Sequence, residues 1–556
     1  MRLGRLAAYV KDHGIRESAH LAADRLLDRK RPEVSYEEWL NRNRPSSGDY
    51  RRMERTAFPY SPVIGVRASM PEAERVAFFQ SLDMQIYRRF RSLKGDPSVE
   101  YALLVNDSCS LRPDLLWECA RMLDMAGPGQ IDLIYFDSDR IGGDGRKCQP
   151  AFRPEYDPAL LSRVNYMGDV VLVRTGAAME AGLPGPGEDA FHSFLKKICL
   201  GSKTGRAAGP GGSIRHIPKI LYHTQGTMEM PAAGELSPRA FGREASSASG
   251  HVMSHTRENE ALVSVLIPNK DHAQDLEKCV DSLRRNNTWT NLEIVILENQ
   301  SSMAGTFELY RHLREEDPRI RILEWNRPFN YSAINNYGAS QAKGEYLLLL
   351  NNDTQILEPE SIALLQTLAS EPETGAAGAL LLYPDKSVQH GGIILGHGGI
   401  AGHAWEGELL EQYSAPYPGL VLSHTHNVSA VTGACMMLRR SVWEAAGGMD
   451  ESLAVTFNDV DLCMRLRKEG RNVLMCPGAC LTHYESASRG YEDSPEKVER
   501  FHREIGIFVR RWSRELEMGD PFYSPSLTLQ GRSWTCRDDL REGVKPYLKY
   551  LRMTQG

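Results

Sequence analysis

Long apolar runs are missing from this 556-residue chain, and none approaches the ~20 residues that a membrane-spanning helix needs. The opening "MRLGRLAAYVKDHG" also has no signal-peptide core, so the expected location is the cytoplasm. A basic excess is missing too: the net charge is −6, which excludes a general nucleic-acid binder. The ten cysteines offer no second pair at metal spacing beside "CPGAC" (Cys476, Cys480), so buried free thiols are expected rather than a zinc site or disulfides. No glycine-rich phosphate loop is present, which argues against a P-loop phosphoryl-transfer enzyme. Nothing resembles a coiled coil, and the oligomeric state stays open. What remains is ordinary soluble composition, 41% hydrophobic and 25% charged, in a chain long enough for about two to four domains.

What the chain does have is repetition. "EYALLVNDSCSLRP" (from Glu100) is echoed by "EYLLLLNNDTQILEP" (from Glu345), with Asn106 falling on Asn351 and Ser108 on Asp353. Three more echoes follow in the same order. "VVLVRTGAAMEAGLP" matches "CMMLRRSVWEAAGGMD", "GEDAFHSFLKKICLG" matches "FNDVDLCMRLRKEG", and "IPKILYHTQG" matches "CPGACLTHYES", with His223 near His483. Two copies of one fold are therefore expected. The boundaries are an N-terminal helical arm over 1–58, a first copy over 59–233, a Gly/Ser/Ala-rich linker over 234–260, a second copy over 261–515 and a tail over 516–556. The arm carries Arg and Lys at helical spacing. It reads either as a surface helix packed on the body or as a basic amphipathic helix touching an anionic membrane face, such as the inner membrane.

The second copy alternates short apolar β-rich runs, "LVSVLIP", "LEIVILEN" and "RIRILEW", with helical stretches of 10–15 residues, which predicts an α/β fold with a parallel sheet. Such sheets bind ligands at the carboxyl ends of their strands. Here those ends read Asn269-Lys270-Asp271, Glu298-Asn299 and Asn351-Asn352-Asp353. The first copy has "SPVIGVRAS" and then a helix running almost directly into "EYALLVNDS", so its second strand is expected to be absent. With Ser108 in place of the acid, that copy reads as a scaffold.

If the ligand is a nucleotide diphosphate sugar, a divalent cation must neutralise the charge that develops on the departing diphosphate. Mg²⁺ or Mn²⁺ keeps waters and needs only one or two protein carboxylates, a role that suits Asp353; the plainer alternative is a cap on the helix beginning near Pro359. Asp459 and Asp461 open a helix that ends at Gly470. Either acid could deprotonate an acceptor hydroxyl, and either could merely complement the helix dipole. His483 could complete the metal shell and Arg489 could hold a phosphate oxygen. The Asp137-Ser138-Asp139 pair reads as a strand-end acidic loop of the first copy. His397 and His403 sit in "GHGGIAGHAW", whose glycines suggest a flexible loop on the acceptor side.

Together these stretches carry a resemblance. "VSVLIPNKD", "EIVILENQSS", "FNYSAINNYGASQAKGEYLLLLNNDT", "GACMMLRRSVWEAAGGMDE" and "FNDVDLCMRLRKEG" resemble the family 2 glycosyltransferases, especially bacterial enzymes of O-antigen and rhamnan-type polysaccharide assembly. The likeness covers roughly 259 to 515, and more weakly 59 to 232. It implies two tandem GT-A-like domains, the first truncated and degenerate, and inverting transfer from a metal-bound sugar nucleotide such as dTDP-rhamnose or a UDP-sugar. The acceptor implied is a lipid-linked or polysaccharide glycan. Carried over by motif, Pro268, Asn269 and Asp271 would line base and ribose, and Glu298 and Asn299 would take the base-contacting position. Asn351, Asn352 and Asp353 would stand for the Asp-x-Asp metal motif, Asp459 for the catalytic base and His483 for a late metal ligand. Asn351 and Asn458 replace acids usual in that family, and Glu298 with Asn299 replaces a usual acidic pair. Two other classes stay on the table: a glycoside hydrolase using Asp353 and Asp459 without nucleotide or metal, and a non-catalytic scaffold of a glycan-assembly complex.

Overall fold

The computed structural model describes residues 34–93, 99–201, 213–226, 261–409, 416–484 and 495–538. The first unit's strands are β1 (Ile64–Ala68), β2 (Phe90–Ser92), β3 (Tyr101–Val105), β4 (Cys109–Leu111), β5 (Leu133–Ile141), β6 (Lys147–Ala151), β7 (Val170–Arg174) and β8 (Ile214–Gln225). They form one sheet in the order β2-β1-β3-β7-β5-β8-β4, with β6 paired to β5. The second unit has β9 (Val263–Asn269), β10 (Leu292–Glu298), β11 (Ile320–Glu324), β12 (Tyr346–Leu350), β13 (Thr354–Ile356), β14 (Thr374–Leu382) and β15 (Val388–His390). It continues with β16 (Ile393–Leu395), β17 (Ala401–His403), β18 (His426–Asn427), β19 (Cys435–Arg439) and β20 (Asn472–His483). Its main sheet runs β11-β10-β9-β12-β19-β14-β20-β13.

The two orders superimpose strand for strand once β11 is removed. Directions match as well: β1, β2 and β3 are mutually parallel like β9, β10 and β12, and β7 and β19 both run antiparallel to their neighbours. One expectation is corrected here. The first unit does possess its second strand, β2, parallel to β1; among the described residues its sheet has no partner for β11. Half-buried Phe90 followed by exposed Arg91 and Ser92 carries too little apolar signal to be read as a strand, and no acid-amide pair follows them. The pairing of His223 with His483 also shifts by one residue. Thr354, just after Asp353, lies opposite His483, whereas Cys109, just after Ser108, lies opposite Thr224.

The four leucines of β12 need burial on both faces, and they have it. Leu347 and Leu349 enter one core while Leu348 and Leu350 enter another on the far side of the sheet. The first of these cores is continuous across both units, uniting Leu104, Tyr135 and Phe191 with Leu266, Val431 and Phe508. At the seam, buried Asp157 accepts from the backbone N–H of Asn427 (2.8 Å) and from its side-chain amide (2.7 Å). The acids Asp137 and Asp139 are not in a strand-end loop, as the sequence suggested, but inside β5 and fully buried. Asp137 accepts from the His216 ring (2.9 Å) and the Arg153 N–H (2.8 Å); Asp139 is bonded by His223 and by the Tyr36 hydroxyl (2.5 Å).

Tyr36 belongs to the described part of the N-terminal arm, where Trp39 packs edge-on against Phe152 at 4.9 Å. That part rests on the first unit; the basic stretch before residue 34 lies outside the described residues. All ten cysteines are free, and the seven buried ones all sit on strands or helices of the cores. No helix among the described residues is long and apolar enough to cross a membrane.

Candidate active site

Parallel β9, β10 and β12 end side by side, so their terminal polar residues meet. Asn352 donates to Asn269 Oδ1 (2.6 Å), Asn269 donates to the Tyr310 hydroxyl (2.7 Å), and Tyr310 in turn donates to Glu298. Glu298 also accepts from the Ser301 hydroxyl at 2.7 Å. Burial first, and then this carboxylate, push the Tyr310 hydroxyl upward and keep it protonated. Asn299 donates to the Trp325 carbonyl (3.2 Å) and the Arg327 carbonyl (2.9 Å), tying β10 to the end of β11. Asn269, Glu298, Asn299 and Asn352 are all buried, so they form a wired floor; Pro268 and Asp271 are the partly exposed members of the set. Asp271, at φ 55°, accepts from the N–H groups of Met303 (2.8 Å) and Ser302 (2.9 Å), which hold its carboxyl below the usual carboxylate range. It therefore caps the Ala304–Glu316 helix as well as edging the floor.

Asp353 and His483 come together because β13 and β20 are antiparallel neighbours, which sets the last residue of one beside the first of the other. His483 Nε2 lies 3.1 Å from Asp353 Oδ1 and 3.2 Å from the Asn351 amide nitrogen. Its Nδ1 lies 2.6 Å from Gln389 Oε1. A carboxylate oxygen and an imidazole nitrogen, both buried and 3.1 Å apart, form an oxygen-nitrogen donor pair whose chemistry suits a divalent cation completing its shell with diphosphate oxygens and water. Among the described residues no cluster of three or more His, Cys, Asp or Glu side chains converges.

Asp459 opens the Asn458–Lys468 helix behind Phe457, whose φ of 59° turns the chain sharply into it. One carboxylate oxygen accepts from the Gly433 N–H (2.9 Å) and the other from the Val460 N–H (2.8 Å). The turn Thr432-Gly433-Ala434 is the hub of the site. Its Ala434 carbonyl accepts from the Asn351 N–H (3.0 Å), its Gly433 N–H holds Asp459, and its Thr432 N–H faces His390 Nε2 (3.4 Å). His390 Nδ1 meets His403 Nδ1 at 2.8 Å, and burial holds His390 well below the ordinary imidazole range. Asn351 and Asp459 thus bond this turn directly, His403 reaches it through His390, and His483 with Asp353 connects to it through Asn351. A Cβ added at Gly433 would stand 3.0 Å from the Tyr331 hydroxyl oxygen, so that ring would have to yield by a few tenths of an ångström.

Some expected residues are placed elsewhere. Asp461 is fully buried and faces away, its carboxylate taken by Arg465 (2.8 Å), Arg511 (2.7 Å) and the Trp512 N–H (2.9 Å). That is a bracing position, so contact with acceptor or phosphate falls to other groups. Arg489 lies outside the described residues. The loop carrying His403 is not the flexible segment its glycines suggested. It is the β16–β17 hairpin, closed by left-handed Gly396 and Gly398 and pinned by the tail. The Leu395 N–H donates to Asp520 (2.7 Å), the Trp405 N–H donates to Ser533 (2.9 Å), and Trp405 stacks on Trp534 at 4.9 Å.

Tyr310, Gln389, His390 and Glu504 escaped the sequence reading. Gln389 and His390 had a signal, being two adjacent polar residues before a Gly-Gly pair; Glu504 had none. It sits fully buried on the Pro495–Arg511 helix and accepts from the N–H groups of Ala454 (3.1 Å), Val455 (3.3 Å) and Thr456 (2.7 Å), the loop that leads into Asp459. The Glu504→Ala variant is expected to turn over about 10- to 100-fold more slowly while donor affinity stays within about twofold, because a loop displaced by an ångström carries the Asp459 carboxylate with it. Steady-state kinetics beside calorimetric donor binding checks this. A cleft of about 1450 Å³ opens between the units and the tail, lined by residues such as Tyr156, His216, Met464, Trp512 and Phe522; none of the sequence-predicted site residues borders it.

Comparison with known proteins bears on this geometry. The profile of "Glycosyl transferase family 2" matches residues 264–446, from β9 past β19. The N-acetylglucosaminyl-diphospho-decaprenol L-rhamnosyltransferase of Mycobacterium tuberculosis is 30% identical over 235 residues, 39% of this chain and 74% of that protein. The chain belongs to the family 2 glycosyltransferases, and its fold is a pair of tandem GT-A-like α/β units. Longer matches link it to the O-antigen biosynthesis protein RfbC of Myxococcus xanthus (33% over 465 residues) and to protein y4gI of Sinorhizobium fredii (34% over 459 residues). These cover 80% and 77% of this chain, yet the chain spans only 35% and 48% of those relatives.

Proposed function

We propose that the second unit transfers a sugar from a nucleotide-diphosphate donor to a hydroxyl of a growing cell-surface glycan, with inversion at the sugar carbon. The observation that carries this reading is the pairing of Asp353 with His483 beside the carboxyl end of a parallel sheet, linked through Asn351 to the turn whose Gly433 N–H holds Asp459. The floor of Asn269, Glu298, Asn299 and Asn352 holds the nucleotide, edged by Pro268 and Asp271. Asp353 and His483 would hold Mg²⁺ or Mn²⁺, which when bound supplies charge neutralisation for the leaving diphosphate. Asp459 takes the proton of the acceptor hydroxyl as its oxygen bonds to the anomeric carbon, while the bond from that carbon to the diphosphate breaks and the electron pair leaves with the nucleotide. Attack from the face opposite the leaving group inverts the centre. His403, held by His390, contacts the acceptor.

One relative is named an L-rhamnosyltransferase acting on a diphospho-decaprenol glycan and another an O-antigen biosynthesis protein, which supports a rhamnosyl donor, such as dTDP-rhamnose, over the alternative of a UDP-sugar, and a lipid-linked or polysaccharide acceptor. Such acceptors place the work in the cytoplasm, at the cytoplasmic face of the membrane. The first unit, with Ser108 at the position of Asp353, serves as scaffold. The deciding experiment is calorimetric binding of dTDP-, UDP- and GDP-linked sugars with and without Mn²⁺, on the wild type and on Asp353→Ala. One donor is expected to bind only with metal and to be lost in the variant. Binding that survives in Asp353→Ala would move the metal site elsewhere, and no binding at all would leave both units as scaffold.

A further inference from the structure

The His483 ring lies between two amides, each within hydrogen-bond distance of one ring nitrogen. The Asn351 amide nitrogen, a donor, lies 3.2 Å from Nε2. Gln389 Oε1, an acceptor, lies 2.6 Å from Nδ1. A hydrogen bond on each side requires the proton on Nδ1 and a lone pair on Nε2. That lone pair stands 3.1 Å from Asp353 Oδ1, and two acceptors that close repel unless a proton or a cation lies between them. Gln389 is 5% exposed and His483 7%, so water does not compete for Nδ1.

We infer that Gln389 is a positioning residue: it holds the Nδ1–H of His483 so that the Nε2 lone pair is aimed, beside Asp353, at a divalent cation. The inference rests on the reading of the second unit as a metal-assisted transferase. Its parts are local. Gln389 lies on β15, which is paired to β14, so its backbone is fixed by the sheet and not by a loop. Alternation along that strand turns its neighbour His390 the other way, toward Thr432 and His403, so adjacent residues serve opposite sides of the site. A neutral amide in this place orients the ring without adding a second negative charge to a site that must also accept a diphosphate. Outer partners of this kind typically contribute a 10–100-fold effect on metal affinity.

The test measures Mn²⁺ affinity of the full chain by electron spin resonance of the free ion, together with the histidine tautomers of the metal-free protein by ¹⁵N NMR. The variants are Gln389→Leu, Gln389→Glu, Asp353→Ala and His483→Ala. In the wild type the His483 signal, assigned by its loss in His483→Ala, should show the Nδ1–H form. Gln389→Leu should weaken Mn²⁺ binding about 10–100-fold, and Gln389→Glu, which keeps an acceptor at Nδ1, should restore affinity to within a few-fold of wild type. A wild-type His483 with its proton on Nε2 overturns the inference, even should Gln389→Leu fail to fold. So does unchanged Mn²⁺ affinity in Gln389→Leu when Asp353→Ala and His483→Ala have lost it, a result that leaves the transferase reading standing. Wild type and His483→Ala binding Mn²⁺ alike would instead sink the metal site on which both readings rest.

Discussion

The Asp459→Asn variant is expected to bind donor as tightly as the wild type and to transfer sugar about a hundred- to ten-thousand-fold more slowly. Asparagine has the shape of aspartate, and its carbonyl oxygen can still accept from the Gly433 N–H, which the wild-type carboxylate meets at 2.9 Å. The turn that links Asp459 to Asn351 is therefore preserved, and with it the donor floor. What the amide cannot do is take a proton from an acceptor hydroxyl. The effect should fall on turnover and leave the donor dissociation constant alone, which single-turnover transfer beside calorimetric binding separates. A variant with wild-type turnover would hand the proton to another group, and His403 is the titratable side chain tied to the same turn through His390.

The second large effect concerns stability. Replacing Asp461 with alanine is expected to destabilise the protein by about 3 kcal/mol or more, since removing one partner of a buried ionic cluster leaves the other uncompensated. Arg465, Arg511 and the Trp512 N–H all converge on that carboxylate, binding the Asn458–Lys468 helix to the Pro495–Arg511 helix and the residue after it. Arg511 is partly exposed and keeps Asp450 at 2.6 Å, which limits the loss on its side. Arg465, by contrast, still donates to the carbonyls of Ala446 and Gly448 and would drag them with it. Denaturant midpoints of the two proteins, with the slope held equal, measure the difference. An unchanged midpoint would return Asp461 to the acceptor role that the sequence suggested for it.

The residues legible in the sequence share one property: they sit where a buried strand stops. Asn269, Glu298, Asn351 and Asp353 interrupt apolar runs, and a polar residue there has no role in the core, so its position marks the ligand side. His483 was found for the same reason, at the end of "CPGACLTH". The duplication was legible because four such signals recurred in order. Reading failed where a residue's partner is remote. Glu504 reaches back 48 to 50 residues to its loop, and nothing local announces that contact. Asp137 and Asp139 look like loop acids because acids are rare inside strands; His216, His223, Tyr36 and Arg153, all distant in sequence, make them tolerable there. Asp461 was misassigned for the converse reason. At the start of a helix it resembles Asp459, and only the helix's rotation decides that one acid meets the Gly433 turn and the other the interior.

The continuous core and the Asp157–Asn427 clasp bear on how the chain is made. Synthesis delivers the first unit, with buried Asp157 at its seam, before Asn427 and the apolar residues of the second unit exist to complete the shared core. At ribosomal rates of about 5–20 residues per second, the second unit needs tens of seconds more to emerge. For that interval the nascent chain presents an apolar surface meant for its own later half, the condition under which chaperones are recruited and neighbouring chains stick together. The first unit therefore cannot simply be deleted from such a protein. It supplies the surface on which the second unit completes its folding.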